Sequence, residues 1–267
     1  MGSFQEEKGM LAIERQEQIV SQIRRNGAVR IHELTKQFSV SVETIRRDLL
    51  ELERQDCLHR VHGGAVGIAV AKQYHRLEER TEENPQKKEE LSGYAAGLIR
   101  ESDVLMVDSG STAIAFAKML AEEFERLTVI TYSLHVFEIL KKKEGFTLYL
   151  CAGAYLRDEN AFCGQWALQM LEQFHAKTAF LFPSAISLQN GIMDYDQELY
   201  HLQRAMMKHA DRSVFLADSD KFEKSALLKL ADVNEAVTFV TDSGLRKEIL
   251  ELYQENGIEM IRGEQKQ

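Results

Sequence analysis

Cysteine is scarce in this chain. Three thiols, Cys57, Cys151 and Cys163, are spread over 267 residues, too few and too far apart for a disulfide framework, which points to a reduced, cytoplasmic setting. Apolar runs are short as well, none approaching the roughly 20 residues that cross a bilayer, so no membrane role is expected. Residues 1–9, MGSFQEEKG, have no apolar core of a secretory signal and read as a tag or flexible extension ahead of the periodic pattern that starts after Met10. A basic surplus is missing too. The net charge of −9 excludes a nonspecific nucleic-acid coat, yet residues 10–66 hold nine Lys or Arg against eight Asp or Glu, and the acidity falls on residues 67–267. Any affinity of the first part for a polyanion must come from a few placed arginines and from pairing of chains rather than from a broad basic field.

What is present begins with VSVETIRRDLLELERQDCLHRVHGGA, residues 40–65. Ser41 is a good N-cap, since its hydroxyl can accept from an orphan backbone N–H, and Val42, Ile45, Leu49 and Leu52 recur at helical spacing as one expected buried stripe. At about 100° per residue, Glu43, Thr44 and Arg47 project away from that stripe and Arg46 lies on its flank. Such a face suits base-edge contacts by the first three and phosphate contact by Arg46. Upstream, Ile13, Ile19, Val20 and Ile23 predict a first amphipathic helix ending at Asn26-Gly27, and residues 29–38 can hold a short strand and a second helix. Downstream, residues 58–61 alternate as a strand, Gly63-Gly64 permits a tight turn, and Ala65-Val66 can return as the other strand of a wing. His59, Arg60 and His62 would then lie near a sugar-phosphate backbone. The spacing is that of a winged helix-turn-helix, and the expected partner is double-stranded operator DNA. Two rival readings are a plain solvated face for Arg46-Arg47 and metal binding by Cys57, His59 and His62. The second lacks a partner cluster elsewhere, and no metal or cofactor is expected.

The length accommodates a small and a medium domain. Residues 67–83, with the charge run RLEERTEEN, read as a linker. Asn84-Pro85 is a helix start, cap then first-turn proline, with Leu91, Ala95, Leu98 and Ile99 carrying the period to Arg100. Beyond it, short apolar runs at 104–107, 128–131, 146–151, 178–182, 213–217 and 237–240 alternate with helical stretches. This predicts an α/β domain with a mostly parallel sheet between helices over residues 84–267, preceded by the winged helix-turn-helix of residues 10–66.

In such a sheet the ligand site lies at the carboxyl ends of the strands. There the sequence places Asp108, Ser109, Gly110, Ser111 and Thr112, followed by the helix AIAFAKMLAEE. A hydroxyl-rich Gly loop entering a helix offers amides, side-chain donors and the positive end of the dipole to an anion, and phosphate is the natural ligand. Ser, Gly and Thr also serve as ordinary turn and cap residues. Tyr132-Ser133, Gly153 and Lys221 occupy other strand ends. Lys221 can neutralise a phosphate or carboxylate, or simply be solvated. Asp194, Asp196 and Glu198 can hydrogen-bond sugar hydroxyls or complement a helix dipole.

The segments VSVETIRRDLLELE and HRVHGGA resemble the DNA-binding signature of the DeoR-type (deoxyribose operon repressor) bacterial transcription regulators. The segments DSGSTAIAFAKML, TVITYS, GIMDYDQELYHLQRAMM and LADSDKF are similar to that family's sensor domain. The resemblance implies a sensor related in fold to sugar-phosphate isomerases, with Asp108 to Thr112 as phosphate loop and Lys221 as the lysine of a Ser-Lys-Phe-Gly-like motif. It implies a regulator, with repression the expected sign, of sugar uptake and breakdown genes, acting as a homodimer or homotetramer under control of a phosphorylated metabolite. The chain departs from the family pattern at Tyr132 (usually Asn), Ala152 (Gly), Pro183 (a loop often Gly-rich), Asp220 (Ser) and Glu223 (Gly), each change narrowing or recharging the pocket. An enzyme, a sugar-phosphate isomerase or transferase using Asp194, Glu198 and Lys221 as acid and base groups, is the alternative from another class. No pair of those residues has a spacing that fixes a catalytic geometry.

Overall fold

The computed structural model describes residues 11–26, 28–55, 57–61, 63–67 and 77–263. The chain divides into two compact units, residues 1–74 and 75–267. In the first, α1 (Ala12–Asn26), α2 (Ile31–Phe38) and α3 (Val42–Arg54) alternate with β1 (Ala28–Arg30), and β2 (Leu58–Val61) and β3 (Gly64–Gly67) follow. The three strands form one antiparallel sheet in the order β1-β3-β2. Ser39 ends α2 in the left-handed region (φ 52°), which turns the chain sharply enough for Ser41 to start α3 two residues later. Ile19, Ile23, Val29, Leu34, Ile45, Leu49, Leu52 and Leu58 close the core.

Three details differ from the sequence reading. Ile13 and Val42 lie outside the core, 69% and 39% exposed, because each sits in the first turn of its helix beyond the reach of the packed elements. Gly64 is strand, not turn: a Cβ there would lie 2.1 Å from the Val29 carbonyl oxygen, so the pairing of β1 with β3 demands glycine. Gly63, at φ 85°, lies in the turn of the hairpin.

In the second unit, seven parallel strands run in the order β15-β14-β12-β9-β4-β5-β6: β4 (Val104–Val107), β5 (Thr128–Thr131), β6 (Thr147–Leu150), β9 (Ala176–Leu181), β12 (Ala210–Leu216), β14 (Thr238–Thr241) and β15 (Glu259–Arg262). The inner strands β4, β9 and β14 are almost wholly buried and β12 is buried over its last three residues, which is why they read as continuous apolar runs rather than alternations. One face carries α5 (Pro85–Ala96) and α6 (Ser111–Glu123), packed on Leu105, Val107, Val129 and Phe180; the other buries Met106, Ile130, Leu181 and Phe215. A short hairpin, β7 (Ala154–Leu156) with β8 (Ala161–Cys163), and a small sheet of β10 (Ala185–Ser187), β11 (Gly191–Asp194) and β13 (Leu228–Ala231) complete it. These short strands carry no period long enough to read from sequence.

Within the stretch read as a linker, Leu77–Glu82 is a helix, α4. Leu77 is buried, and Arg80 Nη2 donates to both carboxylate oxygens of the buried Glu159 at 2.5 and 2.6 Å. Helix α5 starts at Pro85, but Asn84 caps nothing with its side chain, which donates instead to Asp220 (2.9 Å), and the helix ends at Ala96 rather than Arg100. The remaining helices are α7 (Leu134–Leu140), α8 (Gly164–Leu171), α9 (Gln197–Lys208) and α10 (Lys247–Glu255).

Candidate functional site

Helix α3 presents the first candidate surface. Ser41 caps it, its hydroxyl accepting from the Thr44 amide at 3.1 Å. Glu43, Arg46 and Arg47 are exposed and Thr44 half-buried, so the side chains expected on the outer face are all there. Arg46 is pre-aimed by an ion pair with Glu43 (3.2 Å). The inner face holds what the sequence reading missed: Asp48, 2% exposed, occupies the stripe between Ile45 and Leu49 and takes a bidentate grip from Arg15 on α1 (2.5 and 3.1 Å) plus a bond from Gln16 (3.2 Å). A charged residue at a core phase of a helix was the available signal. In the wing, Arg60 is fastened to the end of α3, its backbone N–H and Nε both donating to Glu53 at 2.7 Å. The Gly63 carbonyl accepts from the Ile31 amide (2.9 Å), tying the wing turn to the start of α2. His62 and the side chain of His59 lie outside the described residues.

The second candidate lies where the strand order of the parallel sheet reverses. Strands β4, β5 and β6 step one way and β9, β12, β14 and β15 the other, leaving the switch between β4 and β9, the place where open α/β sheets form a ligand crevice. Asp108-Ser109-Gly110 leaves β4 there and enters α6. Gly110 stands at φ 121°, a conformation that strains any side chain. The helix has no side-chain cap and no acid in its first turn, so its leading amides keep their positive partial charge. Beside the loop the Ser109 hydroxyl is buried without a hydrogen bond of normal geometry. Ser111 is half-buried and Thr112 buried.

Asp108 itself has another task. Fully buried, its carboxylate accepts from Tyr132 Oη, the Ser109 amide (2.7 Å), the Phe182 amide (3.3 Å) and Gln203 Nε2 (3.1 Å). Four donors saturate an ionised carboxylate. Burial nevertheless pushes its pKa up to about 6, with Asp194 adding to the rise and the Tyr132 hydrogen bond opposing it. Gln203 Nε2 also donates to Asp194 (2.7 Å), whose other oxygen accepts from Ser184 (2.6 Å). The loop is thereby wired to α9.

The other expected contacts are dispersed. Tyr132 is fully buried and bonded to Asp108, and burial raises its pKa well above the usual phenol value. Ser133 caps α7, accepting from Val136 N (3.3 Å). Gly153 is a glycine because a Cβ would lie 2.3 Å from the Cys163 carbonyl. Asp196 caps α9, accepting from the amides of Glu198 and Leu199 (2.8 and 3.2 Å). Lys221, half-buried, ends a 3-10 turn after β12, where its charge acts on Asp218 and Lys88. Lys88 is the cation that sequence reasoning missed. Only 4% exposed, it donates to the carbonyls of Arg80 and Glu83, and burial lowers its pKa to about 8.

Comparison with known proteins gives the same two-part division of sequence. Residues 15–69 match the DeoR-like helix-turn-helix domain and residues 83–243 the DeoR C terminal sensor domain. The chain is 35% identical to the transcriptional repressor AccR of Agrobacterium fabrum, across 87% of this chain and 90% of that one. It is 31% identical to the L-fucose operon activator of Haemophilus influenzae, across 86% and 92%. Among solved structures, ribose 5-phosphate isomerase A from Methanocaldococcus jannaschii matches 52% of this chain and 55% of its own, at 17% identity and a TM-score of 0.39. No described helix is long and apolar enough to cross a membrane.

Proposed function

The chain belongs to the DeoR family of transcription regulators, and we propose that it represses genes of sugar or carbohydrate metabolism until a phosphorylated sugar-type effector binds its second domain. Residues 10–66 would read a two-fold operator through paired copies, each placing Glu43, Thr44 and Arg47 at base edges and Arg46, with the wing residues His59, Arg60 and His62, at the backbone. Residues 84–267 would sense the effector in the cytoplasm without acting on it chemically. The relatives' names support the metabolic class, one of them being tied to an L-fucose operon.

The observation that carries the effector reading is the uncapped, acid-free first turn of α6 at the switch of the sheet, with the buried Ser109 hydroxyl, short of a hydrogen bond of normal geometry, beside it. Such a terminus draws an anion with its amides and dipole. In this reading the Ser109–Thr112 amides hold the phosphate, Asp108 and Tyr132 brace the loop from beneath, and Lys221 closes the far side. The effector shifts the population competent for DNA through its differential affinity for the two states.

The test is a melting-temperature panel of pentose and hexose phosphates, since a ligand that binds only the native state raises stability by mass action. At least one member should raise the melting temperature, and Ser111→Asp, which sets a carboxylate on the same amides, should abolish that rise while leaving the fold intact. A panel in which nothing shifts, or a shift that survives Ser111→Asp, overturns the site. Turnover of any sugar phosphate that depends on Lys221 overturns the sensing role.

A further inference from the structure

The chain has a single tryptophan, and Trp166 is 77% exposed on the first turn of α8. Next to it, α8 and α9 enclose a groove of about 280 Å³ lined by Gln165, Leu168, Glu198, His201 and Leu202, below the usual volume of a small-molecule pocket, about 300–1,000 Å³, and better suited to one side chain. A knob and a hole on one face are the elements of a self-complementary contact.

Charge along α9 points the same way. Its outward positions Gln197, His201, Arg204 and Lys208 recur at helical spacing, with Asp196 and Glu198 at the leading end and both cations at the trailing end. Laid antiparallel on itself about a two-fold axis at His201, the helix sets Glu198 opposite the partner's Arg204 and opposes the two helix dipoles. Arg204 is already held for this, lying 5.8 Å over the Tyr200 ring and donating to the Leu230 carbonyl (3.3 Å), which spares side-chain ordering on association.

We infer that the α8–α9 face binds a second copy of this chain, α9 antiparallel to α9, with each Trp166 seated in the other copy's α8–α9 groove. The inference rests on the regulator reading only for its purpose, the two-fold presentation of two α3 helices to one operator. It also makes Gln203 of α9 the bond between interface and effector loop, through Asp108.

Sedimentation equilibrium and intrinsic fluorescence of the full chain, without DNA or sugar phosphate, test it. The single tryptophan should emit as a buried indole in the dimer and shift to the red on dilution. Trp166→Ala should raise the dissociation constant about thirtyfold or more, the size expected of an aromatic anchor. Glu198→Arg and Arg204→Glu should each weaken the dimer, and the two together should restore it. Positions six apart on one helix do not face each other, so rescue can only be intermolecular. A monomer at all concentrations, a dimer whose tryptophan emits as solvent-exposed, or a double variant no tighter than the weaker single one overturns the interface. The regulator reading falls separately, if no operator is bound.

Discussion

Arg15 of α1 grips Asp48 of α3 across the core of the first unit, Nε to Oδ2 at 2.5 Å and a second nitrogen to Oδ1 at 3.1 Å, with both side chains almost fully buried. The pair fixes how far α3 rotates about its own axis, because Asp48 lies on the face opposite Arg46 and Arg47. Removing one partner leaves a buried charge uncompensated, which costs about 3–5 kcal/mol, whereas replacing both by apolar residues is often neutral. Arg15→Met should therefore lower the melting transition of this unit and abolish operator binding, and Arg15→Met with Asp48→Leu should recover most of the melting transition. Calorimetry of the full chain, where the second unit's transition serves as internal control, measures both. Equal loss in single and double variants would show that the pair adds nothing beyond packing.

The two arginines on the outer face should separate by kind of contact. Arg47→Ala should weaken binding to the specific operator by about 1–3 kcal/mol and relax preference at one base pair. Arg46→Ala should weaken all sequences alike and lower the salt slope of log affinity by about one. Fluorescence anisotropy over a salt series, with operator and scrambled duplex, distinguishes them. Identical behaviour of the two variants would remove the division of labour.

How much of this was legible in sequence follows from the range of the interactions. Ser41, Ile45, Leu49 and Leu52 announced α3 because capping and helical periodicity are local, and the apolar runs at 104–107, 128–131, 178–182 and 237–240 announced strands because both faces of an inner parallel strand are buried. The strand order, and with it the switch between β4 and β9, depends on pairing between distant segments. So does the role of Gln203: 95 residues from Asp108 in sequence, it reads as one more polar helix residue, though its place beside Leu202 and Met206 on the buried face marks it. Tyr132 stood out as a departure from its family, but only the fold, which sets its hydroxyl on Asp108, turns that departure into a brace beneath the loop.

Asp108 should leave a mark on the pH dependence of stability. Its carboxyl titrates at about 6 in the folded chain, against 3.8 for an unperturbed one, so the native state holds the proton more readily than the unfolded state. The stability it lends is complete below about pH 4 and is lost as the pH rises through about 6, to the extent of about 3 kcal/mol at 1.36 kcal/mol per unit. Urea unfolding at half-unit intervals should show this fall in the native chain and not in Asp108→Asn. The variant will be less stable throughout, since an amide cannot accept from four donors, but the difference in slope between pH 4 and 6 is independent of that offset. Parallel profiles would mean that Asp108 titrates near its ordinary value.

Gln203 offers the sharpest test of coupling between effector and DNA. Its amide nitrogen donates to Asp108 at 3.1 Å and to Asp194 at 2.7 Å, linking the loop that would hold the phosphate to the helix that would meet the second copy. Gln203→Met keeps the length and apolar packing but removes the donor, leaving two buried carboxylates without their shared partner, at a cost of about 1–3 kcal/mol. The variant should still bind the effector, because the α6 amides and the Ser109 hydroxyl are untouched, and so should still show the ligand-dependent rise in melting temperature. What it should lose is the effect of that ligand on operator affinity. Coupling free energies of this kind run to about 1–3 kcal/mol, or 5- to 150-fold in affinity, and operator titrations with and without a saturating sugar phosphate read the ratio directly. A ratio in Gln203→Met equal to that of the native chain would place the coupling route elsewhere in the second unit.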